Sequence, residues 1–125
     1  MKIEIRKLTP SHLYMLTSAL DKETAELANI DWPFTRKVAE QFINEFNTWG
    51  VWINNGSLVG AIEVKENLET AYFVKKGWRN LGIGTEAVKQ CKELFGDKQL
   101  WCVIEPDNKA SLRVAQKSAI RVKFI

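Results

Sequence analysis

The chain has 125 residues, of which 46% are hydrophobic and 26% charged, a composition that is typical of one folded domain and excludes a disordered chain. No apolar run approaches the roughly 20 residues that span a bilayer and the N-terminus lacks a signal-peptide pattern, so we expect a cytoplasmic protein with no membrane partner. The net charge of +3 divides into −2 over residues 1–63 and +5 over residues 64–125. The basic half suits a phosphorylated cofactor or an acidic partner, and it is the only support for a nucleic acid, which we therefore disfavour.

The first half of the chain predicts one strand, two helices and a hairpin. Residues 2–8 alternate as a strand does, Ser11 is an N-cap candidate, and the helix that follows is expected to end between Asn29 and Pro33. Thr35 caps the second predicted helix. Its apolar stripe is Val38, Phe42, Ile43 and Phe46. From Gly50 the period changes to two, and Asn55-Gly56 between residues 51–53 and 58–62 predicts a type I′ hairpin turn.

The second half predicts a third strand of this meander over residues 69–75, then a glycine-rich loop and a helix that Gly96 ends. Residues 100–104 are continuously apolar, which is typical of a strand buried on both faces. A last helix runs from about 106 to 118, and residues 122–125 form a short final strand. The predicted fold is a single α/β (α+β) domain over residues 1–125, ordered β-α-α-β-β-β-α-β-α-β. Its sheet is mixed and mostly antiparallel, with flanking helices and one parallel pair.

Residues 77–84, Gly-Trp-Arg-Asn-Leu-Gly-Ile-Gly, are compatible with three kinds of phosphate-binding loop. A nucleotide-hydrolysing P-loop requires Lys and Ser/Thr where Ile83 and Gly84 stand. A dinucleotide-binding loop places its first glycine directly after a strand, whereas several residues separate Val74 from Gly82. These two alternatives are therefore less favoured than the third.

The third alternative is a loop that leads into a helix and presents unpaired backbone N–H groups to a pyrophosphate. Residues 79–84 read Arg-Asn-Leu-Gly-Ile-Gly and match Arg/Gln-x-x-Gly-x-Gly/Ala, the acetyl-CoA loop of the GNAT acyltransferases. Glycines at 82 and 84 are expected to let the phosphates approach closely, and Arg79 to add a charge-assisted contact.

Two further segments resemble the same family, as does the predicted order of elements from residue 3 to residue 118. Residues 108–117, Asn-Lys-Ala-Ser-Leu-Arg-Val-Ala-Gln-Lys, and residues 31–34, Asp-Trp-Pro-Phe, are similar to the branch that acetylates protein N-termini, including those of ribosomal proteins. The resemblance implies acetyl-CoA as cofactor. The residues that it places on the cofactor are Phe73, Val74, Lys75, Arg79, Asn80, Leu81, Gly82, Ile83, Gly84, Thr85 and Asn108.

The resemblance also implies an N-acetyltransferase in which an acceptor amine attacks the thioester directly. Glu63, Glu105 and Tyr72 are the candidates to take the proton of the amine. The tyrosine with which many members protonate the leaving thiolate falls on Ala115, and Ser111 is the alternative acid that the branch suggests. A main-chain N–H near Phe73 or Val74 would stabilise the oxyanion.

The acceptor is expected to be a protein N-terminus or a small amine, with Trp32 and Phe34 beside it. We expect no metal site, since Cys91 and Cys102 lack a ligand spacing and are interpreted as reduced core residues. Members of the family have Gly-Phe where this chain has Ala119-Ile120. The short final strand after it leaves a sheet edge that predicts a homodimer. The rival function is a non-catalytic module that binds CoA or another protein.

Overall fold

The computed structural model describes residues 1–28, 30–44, 47–54 and 56–125, and strands and helices follow there in the predicted order with one helix added. The elements are β1 (Ile3–Lys7), a 3₁₀ turn (Pro10–His12), α1 (Leu13–Ala19), α2 (Lys22–Leu27), α3 (Arg36–Asn44), β2 (Thr48–Ile53), β3 (Ser57–Val64), β4 (Thr70–Val74), α4 (Ile83–Leu94), β5 (Trp101–Ile104), α5 (Lys109–Ser118) and β6 (Arg121–Phe124).

The added helix arises because the first predicted helix is divided at Leu20. That residue is extended, with φ −111° and ψ 127°, and Asp21 then begins α2 as an N-cap whose side-chain Oδ1 accepts a hydrogen bond from the N–H of Thr24 at 2.8 Å. An aspartate offers its own backbone a partner outside a helix, so it favours a new helix start over helix continuation. The apolar period runs through this break and did not reveal it.

Strands β1, β2, β3 and β4 form an antiparallel sheet in that spatial order. The predicted hairpin is confirmed by the β2–β3 pairing; Asn55, on which the turn prediction rests, lies outside the described residues, as do Asn29 and Phe46. Alternation along β3 and β4 separates two cores, one on each face. The core under α1–α3 includes Leu8, Leu16, Leu20, Phe34, Ile43, Trp52 and Phe73, and the core under α4 includes Val51, Val59, Ile62, Val64, Ile83, Val88 and Cys91.

The parallel pairing of the fold lies between β5 and β6, which form a separate two-stranded sheet. Against β4, β5 makes a single parallel bridge at Glu69 and Trp101. Helix α5 covers one face of the small sheet, where Cys102 and Ile104 pack on Ala115. Val103 points to the other face and is 38% exposed, so the prediction that this strand is buried on both faces is wrong. In the described part of the chain β6 is the outer strand, the edge expected to meet a second copy.

Candidate active site

A gap separates β4 from β5 beyond their single bridge, and the backbone of β4 faces it. The N–H of Lys75 donates to the carbonyl of Val59 at 2.6 Å, and since hydrogen-bonded pairs alternate in an antiparallel ladder, residues 71, 73 and 75 pair with β3. Tyr72 and Val74 therefore present their main-chain groups to the gap. Of the two expected sources of an oxyanion-binding N–H, the register supports Val74 and not Phe73, whose side chain is also 4% exposed in the core.

The loop over residues 75–82 leaves β4 at the end where this gap widens, and it leads into α4. Its last residue, Gly82, is the N-cap with φ +80° and makes no side-chain cap. None of the backbone N–H groups of residues 79–85 donates to another described residue. A Cβ at Gly82 would meet nothing within 4 Å, so glycine is required there by the left-handed backbone and not by crowding. Unpaired N–H groups at the positive end of a helix fit a pyrophosphate.

The other predicted cofactor-binding residues of the loop differ in how exposed they are. Asn80 is exposed, with φ +62°, and Leu81 is 52% exposed, whereas the side chain of Ile83 is 1% exposed in the core and leaves only its N–H available. Thr85 lies half-buried in the first turn.

Gly84 packs closely against side chains of β4 and α5. A Cβ built on it would lie 3.2 Å from Cε2 of Tyr72 and 3.5 Å from Cγ2 of Val114. The structure adds a second reason for a glycine here, because these neighbouring side chains belong to the protein itself, and the expectation that Gly84 makes room for phosphates stays a prediction. Gly84 thus lies where the start of α4 packs against the ring of Tyr72.

Arg79 directs its side chain away from the loop's free N–H groups and towards α2. Its Nε donates to the carbonyl of Val74 at 3.2 Å, its Nη1 lies 3.4 Å from Oε1 of Glu23, and its Nη2 donates to the hydroxyl of Thr24. The guanidinium, which was expected to contact a pyrophosphate, is thus already bonded to protein groups. Glu23 and Thr24 were not among the predicted site residues, and no motif marks them.

The hydroxyl groups of Tyr72, on β4, and of Ser111, in the first turn of α5, lie near each other. Tyr72 packs with the core under α4, and burial raises its pKa, an effect that the neighbouring hydroxyl of Ser111 partly offsets. Asn108 caps α5 through its Oδ1, which accepts from the N–H of Ser111 at 3.2 Å. The cap fixes the first turn of α5 and with it the position of Ser111.

Glu63 lies on the opposite face of the sheet from Tyr72, because it shares the side of its β4 partner Ala71. Burial raises its pKa, Lys65 acts in the lowering direction and Glu69 in the raising one. Across from it on β2 stands Thr48, 2% exposed, whose hydroxyl has no partner among the described residues. Glu69, paired with Lys65 at 3.2 Å, was not predicted and lies at the closed end of the gap.

The remaining candidate residues are Glu105, Trp32 and Phe34, which differ in how exposed they are. Glu105 follows β5 on an exposed turn. Trp32 is 43% exposed, whereas Phe34 is 9% exposed and packs against Phe42 with ring centroids 5.5 Å apart. The expectation that Phe34 contacts an acceptor is replaced by a core role, since an aromatic ring this buried stabilises the helical layer.

Both cysteines lie in the core, as expected. Cys91 and Cys102 are both free and buried, and burial raises the pKa of Cys91 to about 12. In the described part of the chain, no group of three or more His, Cys, Asp or Glu is placed to hold a metal ion. The same residues include no helix with the length and apolarity to cross a membrane.

The family model of the acetyltransferase (GNAT) domain matches residues 2–121. The chain belongs to this GNAT family. Among solved structures it is similar to AAC(6′)-Ib in complex with paromomycin and acetyl-CoA, at 19% identity and a TM-score of 0.69 over 94% of this chain and 82% of that one. It is also similar to the microcin C7 self-immunity acetyltransferase MccE in complex with acetyl-CoA and AMP, at 14% identity and a TM-score of 0.70 over 94% and 77%. No curated protein matches the sequence.

The GNAT domain departs from the family pattern at two positions of its last helix. Ala115, at the position of the expected tyrosine, is 1% exposed and packs in the core of the small sheet, so it offers no acid to the gap. Ala119 ends α5 in the left-handed conformation, with φ +57°, which is the backbone that the family's glycine would adopt without strain.

Proposed function

We propose that this GNAT domain transfers the acetyl group of acetyl-CoA to a primary amine. One observation carries the proposal: the unpaired N–H groups of residues 79–85, at the start of α4, lie where the gap between β4 and β5 widens. A cofactor with a pyrophosphate at one end and a linear amide chain at the other matches these two features together. The two solved relatives described above both hold acetyl-CoA.

Acetyl-CoA supplies an activated acetyl thioester when it is bound. The N–H groups at the start of α4 would hold the pyrophosphate, and the main-chain groups of Tyr72 and Val74 would pair with the amide chain, as an added strand does. The Oδ1 of Asn108 accepts the hydrogen bond that caps α5, so the atom of this side chain that is left to donate to the cofactor is Nδ2.

The protein divides the two proton transfers between the faces of its sheet. Glu63, on the face of α1–α3, accepts the proton that the amine must lose, because burial raises its pKa and makes it a stronger base than an exposed carboxylate. Tyr72, beside Ser111 on the face of α5, gives a proton to the departing sulfur. Its raised pKa keeps it protonated through neutral pH. These two hydroxyls take the place of the tyrosine that many members of the family have where this chain has Ala115.

The acceptor is a primary amine that approaches from the face of α1–α3. The exposed ring of Trp32 is available to it. AAC(6′)-Ib holds paromomycin together with acetyl-CoA, which supports a small amine over a protein N-terminus. The buried Ala115 favours one alternative, a domain that binds CoA without transferring the acetyl group.

The test measures release of free thiol from acetyl-CoA in the presence of a panel of small amines and short peptides, with the N-acetylated form of each acceptor as its control. Release that requires the free amine supports the proposal. Binding of acetyl-CoA by calorimetry without release for any acceptor supports the non-catalytic alternative. Absence of binding contradicts both.

A further inference from the structure

Arg79 connects its own loop to the end of β4, five residues earlier, and to α2, 55 residues earlier, and we infer that it is a positioning residue that holds the 75–82 loop in shape. The inference rests on the proposed function, since the shape concerned is that of the acetyl-CoA loop. In this role the guanidinium clamps the loop to α2 and to the end of β4, and the pyrophosphate is left to the backbone N–H groups.

The contacts of the guanidinium account for this role. Its Nε donates to the carbonyl of Val74 at 3.2 Å, which holds the loop against the strand from which it departs. Its Nη2 donates to the hydroxyl of Thr24, in the first turn of α2. Its Nη1 lies 3.4 Å from Oε1 of Glu23, whose second oxygen is 3.9 Å from Nζ of Lys76.

Burial distinguishes the contacts that hold the clamp from those that do not. Thr24 is 2% exposed, and the side chain of Arg79 is 29% exposed, so their hydrogen bond is shielded from water. The side chain of Glu23 is 61% exposed, and an ion pair of that kind contributes little because solvent screens it. The clamp therefore depends on Thr24 and Val74, and Glu23 adds only a weak contribution.

The clamp also explains how α2 is held. A helix of six residues is too short to be stable in isolation, so its position depends on side chains that anchor it. Asp21 caps its start, and Arg79 fastens its first turn to the loop. The orientation of the helix and the orientation of the free N–H groups of residues 79–85 are thereby fixed by the same guanidinium.

The experiment is a calorimetric titration of acetyl-CoA at several salt concentrations into the wild type and into Thr24→Val, Thr24→Ser, Arg79→Gln and the double variant Thr24→Val/Arg79→Gln. Valine has the shape of threonine without the hydroxyl, and serine keeps the hydroxyl. We expect Thr24→Val to weaken binding by about tenfold, the magnitude of one shielded charged hydrogen bond, and Arg79→Gln to weaken it by at least as much, because that variant also loses the bond to Val74. Thr24→Ser should stay within about twofold of the wild type, and the double variant should be no weaker than the weaker single variant, because both remove the same contact.

The dependence of affinity on salt separates positioning from a direct charge contact. If Arg79 only positions the loop, Arg79→Gln weakens binding equally at low and high salt. A charge that touches the pyrophosphate would instead make the loss largest at low salt. Glu23→Gln is the exposed control and should change affinity by less than about twofold.

Three results would overturn the inference: wild-type affinity in Thr24→Val, additive losses in the double variant, or a loss in Arg79→Gln that disappears at high salt. If Arg79→Gln does not fold, as judged by circular dichroism, the comparison of Thr24→Val with Thr24→Ser still decides. Failure of the wild type to bind acetyl-CoA contradicts the proposed function itself, and is thus distinct from these outcomes.

Discussion

The 75–82 loop and the gap between β4 and β5 assemble their functional groups in contrasting ways. In the loop, the groups proposed to bind a pyrophosphate are backbone N–H groups, at the left-handed Gly82 and the start of α4. In the gap, the groups that carry the chemistry are side chains from three elements, on both faces of the sheet. Consequently we expect changes of backbone conformation to matter most in the loop, where Arg79 is the one side chain given a role, and the loss of functional side chains to matter most in the gap.

The largest effect is expected from Gly82→Glu, which should weaken the binding of acetyl-CoA more than about 100-fold. A residue with a Cβ is strained at φ +80°, and its carboxylate stands at a helix start that would otherwise attract the phosphates. Calorimetry measures the loss. Gly96→Glu is the matched control, because Gly96 also has a left-handed backbone, with φ +61°, and a Cβ there also meets nothing within 4 Å, yet the residue follows the opposite end of α4. Equal affinity of the two variants would contradict the assignment of the loop.

Glu63→Gln should lower the rate of acetyl transfer by about 100-fold, as removal of a general base does, and leave the affinity for acetyl-CoA unchanged. Since burial raises the pKa of Glu63 above 4.5, the rate of the wild type should fall with acid at a pH above that value. This limb should be absent from the pH profile of the variant. An unchanged profile would assign the base elsewhere, and Glu69 would be the next residue to replace.

The same substitution has a consequence for stability that separates a catalytic effect from misfolding. A raised pKa in the folded state means that folding favours the protonated carboxyl, so its contribution is full below pH 4.5 and is lost as the pH rises through the raised value. Glu63→Gln should therefore match the wild type at low pH and exceed its free energy of unfolding at neutral pH. Urea titrations at the two pH values measure the difference.

Tyr72→Phe should slow the transfer by about tenfold, a smaller loss because a thiolate with a pKa near 8.5 leaves tolerably well without an acid. Affinity for acetyl-CoA should remain, since the backbone of residue 72 is retained. The matched control is Tyr14→Phe, which removes the hydroxyl of a tyrosine that is 81% exposed. If Tyr72→Phe is as fast as this control, and Ser111→Ala is slow, the serine alone donates the proton.

Gly84→Ala is the smallest of the expected effects and tests the connection between the two regions. Its Cβ would lie 3.2 Å from the ring of Tyr72, so the ring must shift by a few tenths of an ångström. We expect the rate to fall about threefold, while affinity changes less than about twofold. In the Tyr72→Phe background, Gly84→Ala should lower the rate little further, because neighbouring changes that act through one ring are not additive. A loss of affinity without a loss of rate would instead indicate that Gly84 makes room for the phosphates of acetyl-CoA.

The sequence predicted the strands, the later helices and the position of the loop because their signals are local. Period-two alternation and helix-stop glycines act within a few residues, and Gly82 is recognised by its immediate neighbours. The division of the first predicted helix was missed because the apolar period continues through Leu20, whereas the cap at Asp21 depends on one hydrogen bond.

The direction of Arg79 could not be read from its motif. The six-residue pattern specifies that an arginine precedes the glycines, but the destination of its side chain is set by Thr24, 55 positions away. Phe34 was placed on the acceptor for the same reason, since its burial depends on how α3 returns over the sheet and not on the residues beside it. Long-range packing thus decided the assignments that needed correction.

The single bridge between Glu69 and Trp101 gives the gap a mechanical property. The indole Nε1 of Trp101 donates to the carbonyl of Asn67 at 2.9 Å, and its backbone N–H donates to that of Leu68 at 3.2 Å, so one end of β5 is pinned. With a rise of about 3.3 Å per residue, a rotation of about 10° at this pin moves Ile104 by about 2 Å. Since α5 packs on β5, such a rotation would also change the distance between Ser111 and Tyr72. The single bridge is therefore the point about which the width of the gap would change.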